Sequence, residues 1–84
     1  MIKAYRKGAD KERRIVRSAK DAGYLAFRSA GSHSPIDCCI IDRKKRKIWL
    51  IQAKSDSFPD SAKRRLLKEF EDLNGVFLVR FEVK

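Results

Sequence analysis

Three side chains stand at matching ends of two apolar runs: Asp37 near the start of IDCCIID (residues 36–42), and Gln52 and Lys54 at the end of IWLIQAK (residues 48–54). An acid and an amide oxygen can ligate a hard divalent cation, and an amine beside them can steady the charge that builds as water attacks a phosphate. Brought together on a basic protein, they imply a phosphodiester-cleaving site. Glu12 is a fourth group of the same kind, three and four residues before the apolar Ile15 and Val16. It stands at the first turn of an inward-facing helical stripe, where an acid suits a site better than a core. A simpler role for Glu12 is to balance the helix dipole or to pair with Lys11, Arg13 or Arg14.

Whether the three groups meet depends on strand geometry. Alternate side chains of a strand share a face, so Gln52 and Lys54 point one way and Ala53 the other. The polar run RKKRK (43–47) between the two apolar runs is the natural turn of an antiparallel hairpin. Asp37 joins the face of Gln52 and Lys54 only if opposed residue numbers sum to an odd value such as 89 or 91. A sum of 90 sets Asp37 against Ala53 and destroys the site. Opposed residues lie roughly 4.5–5.5 Å apart, within reach of one bridging metal ion. Asp42 has the wrong parity for this face and is set aside.

The surrounding elements follow from hydrophobic period. Ile15, Val16, Ala19 and Ala22 give residues 8–22 one helical face, closed by Gly23. YLAFRS (24–29) reads as a first strand, and AGSHSP (30–35) as a polar loop leading to Asp37. After Lys54, SDSFPDS carries helix-start signals, with Asp60 or Ser57 as N-cap and Pro59 near the first turn. Ala62, Leu66, Leu67, Phe70 and Leu73 repeat at helical spacing, Asn74-Gly75 supplies the stop, and VFLVRFEV (76–83) reads as a last strand. The expected fold is α/β, in the order helix-strand-strand-strand-helix-strand. Its strand–helix–strand portion should cross over right-handed into a parallel pairing, which makes the sheet mixed.

Size and charge bound the partners. A chain of 84 residues makes one domain, expected over 1–84, which buries roughly 60–65% of its unfolded surface. Hydrophobic residues at 43% suffice for a core. Lysine and arginine number 21 against 11 acids, a net charge of +10. That surplus favours a polyanion, foremost nucleic acid, over an acidic membrane surface. The absence of a long apolar run or apolar leader predicts a soluble, intracellular, cytoplasmic protein with no membrane association. Cys38 and Cys39 are adjacent and so face opposite ways, and with one histidine and no CxxC they read as buried, reduced thiols rather than metal ligands.

RKG (6–8), Glu12, the Gly31-Ser32 loop, Asp37 and Q-x-K (52–54) together resemble the archaeal Holliday-junction resolvases of the PD-(D/E)xK nuclease superfamily. The resemblance runs from about residue 5 to residue 81. It implies a restriction-endonuclease-like core and a metal-dependent endonuclease of branched DNA, with magnesium as cofactor and manganese able to substitute. By position it implies that Asp37, Glu12 and Gln52 hold the metal and that Lys54 orients water or stabilises phosphate charge. Ser32 would stand near the scissile phosphate, and Arg6 and Lys7 would grip the DNA backbone. His33, Arg28 and the hairpin-tip cations Arg43, Lys44 and Lys45 are further DNA contacts on charge grounds, and Lys63, Arg64 and Arg65 extend that surface. Gln52 departs from the family pattern, standing where glutamate is usual and bringing no charge. Either Glu12 and Asp37 suffice, or another acid such as Asp56 or Glu69 helps, or the site has decayed and the chain is a non-catalytic DNA-binding module. RNA binding is a third reading. The chain also stops soon after the last expected strand, so a homodimer would help to cover the sheet and suits paired cuts at a four-way junction.

Overall fold

The computed structural model describes residues 2–29 and 34–84, with side chains from residue 9 onward. Helix α1 (Ile2–Asp21) is followed by strands β1 (Leu25–Arg28), β2 (Cys38–Asp42) and β3 (Lys47–Ile51), then by helix α2 (Asp60–Glu69) and a 3-10 turn (Glu71–Leu73). The first helix begins earlier than the apolar stripe alone predicts.

Its end is fixed by glycine. The Gly23 amide bonds the Lys20 carbonyl (2.9 Å) and the Tyr24 amide reaches the Ala19 carbonyl (3.0 Å). This pair of bonds requires a left-handed residue at Gly23, whose φ is +93°. The reversal aims the chain into β1 along the underside of α1.

The three strands form one antiparallel sheet in the order β1-β2-β3. Leu25 opposes Ile41 and Arg28 opposes Cys38 on one side of β2; Cys38 opposes Ile51 and Asp42 opposes Lys47 on the other. Helix α1 lies on β1 and β2. Val16, Ala19, Ala26 and Cys38 are the buried centre, with Ile15, Ile40 and Ile51 packed around them. These side chains are mostly small, which lets the helix approach the sheet closely. On the other sheet face, Leu25, Phe27, Ile48 and Leu50 are exposed.

At the tip of the β2–β3 hairpin the buried Asp42 accepts the amides of Lys44 and Lys45, both at 3.0 Å. This Asx-type turn explains why an acid belongs there, and it holds the cations of residues 43–47 at a fixed bend. Arg46 completes the bend with a φ of 58°, in the left-handed region.

The C-terminal third differs from expectation. Pro59, not Asp60 or Ser57, occupies the N-cap of α2, and no side chain caps it. The strand expected at 76–83 does not form, and the sheet of the described residues is antiparallel throughout instead of mixed. A parallel strand needs a crossover helix docked on the sheet to carry the chain back to an edge. Here α2 buries no residue and stands off from β3 across an open cleft. VFLVRFEV therefore finds no ladder partner, and Val76, Leu78 and Phe81 remain exposed. No helix among the described residues is long and apolar enough to cross a membrane.

Candidate functional site

The β2–β3 register sums to 89 from Asp42↔Lys47 through Cys38↔Ile51. Continued by one residue, that register would set Asp37 against Gln52, but the pairing does not continue. At this point the ladder steps. The Asp37 amide donates to the Ile51 carbonyl (2.8 Å), although Cys38 is already the partner of Ile51. Two residues of one chain segment thus oppose one of the other, a bulge-like arrangement that re-aims a side chain at a strand end. On its other side the Asp37 carbonyl accepts the Ser29 amide (2.9 Å). The Asp37 side chain then closes the corner, its Oδ2 accepting the Ala53 amide at 2.8 Å. One aspartate so ties the entry of β2 to the chain that leaves β3, the segment carrying Gln52 and Lys54.

Glu12 comes from the middle of α1. Its Oε1 accepts the Arg28 Nε–H at 3.2 Å, and both side chains are largely shielded from water. The helical neighbours are otherwise engaged: Arg13 pairs with Asp10 (3.1 Å), and Lys11 reaches Asp56 (3.4 Å). Arg28 shares the inward face of β1 with Ala26, and that parity was the available signal for the Glu12 pair. Its guanidinium is committed to Glu12, so a role for Arg28 in gripping DNA would compete with this ion pair.

Cys38 follows Asp37 and is fully buried, its thiol facing the Glu12 backbone carbonyl (Sγ to O, 3.8 Å). Burial pushes the Cys38 thiol above the ordinary 9.0; Glu12 and Asp37 add to the rise, and Arg28 opposes it. Both carboxylates and the guanidinium therefore act on one sulfur. Cys39 is also raised, by burial alone, and neither cysteine is in a disulfide. The folded chain holds these protons at a pH where the unfolded chain releases them. Their contribution to stability is complete below about pH 9 and falls as pH rises toward the folded values. Thermal melting between pH 8 and 10 should show a steeper loss for the natural chain than for a Cys38→Ala/Cys39→Ala variant. Parallel slopes would contradict this account.

Gln52 is half-buried and Lys54 exposed, just past the end of β3. The Lys54 ammonium lies 5.5 Å from the centre of the Phe58 ring, a cation–π contact. The Lys54 carbonyl is held by the Lys11 Nζ of α1. Asp56 and Glu69 are exposed, and Asp42 sits at the opposite end of the hairpin inside its own turn. None supplies a third acid, and no group of three His, Cys, Asp or Glu side chains converges among the described residues. The metal donors expected from the sequence are the carboxylates of Glu12 and Asp37, each with one oxygen engaged by a protein donor, and the amide oxygen of Gln52. That chemistry fits magnesium, which keeps several waters and takes one or two carboxylates.

Arg43, Lys44 and Lys45 are exposed at the hairpin tip, away from Asp37. Ser32 and His33, and the side chains of Arg6 and Lys7, lie outside the described residues.

The family model described as archaeal Holliday junction resolvase (Hjc) covers residues 3–80. No curated protein and no solved structure matches the chain significantly. With nearly the whole chain matched, including every described element of the site, this protein belongs to the archaeal Holliday junction resolvase family.

Proposed function

We propose that the chain is a metal-dependent endonuclease that cuts branched DNA, with Glu12, Asp37, Gln52 and Lys54 as its active site. The observation that carries this reading is the Asp37–Ala53 bond, which ties the entry of β2 to the chain segment of Gln52 and Lys54. Asp37, Glu12 and the Gln52 carbonyl would hold magnesium, with manganese as substitute, and the ion would polarise the phosphate and lower the pKa of bound water. Arg28 keeps Glu12 turned inward. Lys54 offers a mobile ammonium to the non-bridging oxygens of the phosphate as charge accumulates there. Ser32 and His33 contact the DNA near the cut, and Arg6, Lys7 and the tip cations Arg43, Lys44 and Lys45 hold its arms through phosphate contacts. A homodimer places two such sites on the two strands of a junction, and the protein works inside the cell on DNA, in the cytoplasm.

The test is cleavage of an end-labelled four-way junction and a linear duplex of matching sequence, with magnesium, with manganese, and with chelator. Junction-selective cuts that vanish with chelator support the proposal, whereas tight binding with no cut in either metal refutes it.

One observation favours a second reading, a non-catalytic DNA-binding module: the site carries two acids and a neutral Gln52. Gln52→Glu separates the two. In an active nuclease the added charge should lower the magnesium concentration needed for half-maximal rate by about tenfold. Cleavage that appears only in Gln52→Glu would show that glutamine had silenced the site.

A further inference from the structure

We propose that Trp49, Tyr24 and Lys47 form a stacking site for an unpaired nucleotide, on the groove between α1 and β3. The inference rests on the DNA-binding reading above and extends it to a second contact point. Helix α1 covers β1 and β2 but leaves β3 open on the same sheet face. The resulting groove has Arg14 and Ser18 of α1 on one wall, and Trp49 and Tyr24 on the other. Its aromatic rings are 5.9 Å apart between centroids and inclined at 45°, a tilted pair in which each ring braces the other. The Lys47 ammonium lies 4.8 Å from the centre of the indole.

An indole beside a cation in an open groove offers the two things that a nucleotide requires, a π-face for the base and a positive charge for its phosphate. The two acids on the groove, Asp10 and Asp56, are matched by Arg13 and Lys11. Arg14 and Lys54 remain as its surplus charge, which favours an anion over an acidic or neutral peptide. In duplex DNA the base faces are covered by their neighbours, so only an unpaired base can stack here. The groove also contains Lys54. Five residues of extended chain, roughly 16 Å, separate it from Trp49. A base stacked on Trp49 would thus lie a short distance along the strand from the bond to be cut. Such a contact would favour substrates with unpaired nucleotides at the branch over those paired up to it.

Trp49 is the only tryptophan, so its fluorescence reports this site alone. The natural chain is titrated in chelator with oligothymidylate and with duplex of equal phosphate number, while anisotropy of labelled DNA follows binding independently. Oligothymidylate should quench Trp49 at saturation, and duplex should not. Tyr24→Leu should weaken oligothymidylate binding by about tenfold and leave duplex affinity unchanged. Equal quenching by duplex overturns the proposal, as does oligothymidylate binding without quenching. Emission that shifts with protein concentration alone would assign the groove to a second copy of the chain. Duplex binding that persists while the stacking signal is absent removes this site only, whereas loss of binding to both DNAs removes the nuclease reading as well.

Discussion

Asp37→Asn should reduce the single-turnover rate of junction cleavage by roughly 10³-fold and leave junction affinity in chelator nearly unchanged. The size follows from the role: a metal-assisted phosphoryl centre supplies several kcal/mol, and each 1.36 kcal/mol is tenfold in rate. The specificity follows from the structure. Asp37 Oδ2 accepts the Ala53 amide, and the asparagine side-chain oxygen can accept the same bond. The substitution therefore removes charge while the corner between β2 and the end of β3 survives. Asp37→Ala is the informative contrast, because it orphans the Ala53 amide at a cost of about 1–3 kcal/mol in stability. If Asp37→Asn loses affinity and rate together, Asp37 contributes to binding and the assignment fails. If it loses neither, the active site lies elsewhere.

Lys54→Met should reduce the same rate by roughly 10²-fold, the lower end of what one lost donor to a developing oxyanion costs. Methionine keeps an unbranched apolar stem and can still lie against Phe58, so the loop should retain its packing. The Lys54 carbonyl, which Lys11 holds, is untouched by the change. Melting temperature should stay within a few degrees while the cleavage rate falls. Lys54→Arg should recover only part of the activity, since a planar guanidinium is not a point charge on a flexible stem. Full activity in Lys54→Met would identify Lys54 as a solvated loop residue.

The hairpin that carries the candidate site was more legible in the sequence than the architecture around it. A turn of like-charged polar residues between two apolar runs defined the hairpin, and its register sums to 89 up to Cys38; the step at Asp37 is a local bulge that period-two alternation does not reveal. The glycine stop of α1 and the burial of Cys38 and Cys39 were equally readable, because each depends on local geometry or on apolar neighbours. Pairing across elements was not. Glu12 has three cations close by in sequence but none three or four positions away, and its partner is Arg28, sixteen positions along the chain. Local spacing identifies neighbours along a helix, not the side chain that an adjoining strand turns toward it. The last strand failed for a related reason. VFLVRFEV has the composition of a strand, but composition provides neither an edge to join nor a docked crossover to deliver it there.

The Lys11 tether has a mechanical consequence. Lys11 and Glu12 are consecutive residues of one 20-residue helix, and the first grips the loop of Lys54 while the second is the acid of α1. The helix thus carries Glu12 directly and, through the Lys11 ammonium, holds the backbone of Lys54, more than forty positions away in the chain. The same backbone is held from the sheet by the Asp37–Ala53 bond, so the loop of Lys54 is pinned between α1 and the entry of β2. A shift of α1 over β1 and β2 would therefore load that loop from one side while Asp37 restrains it from the other.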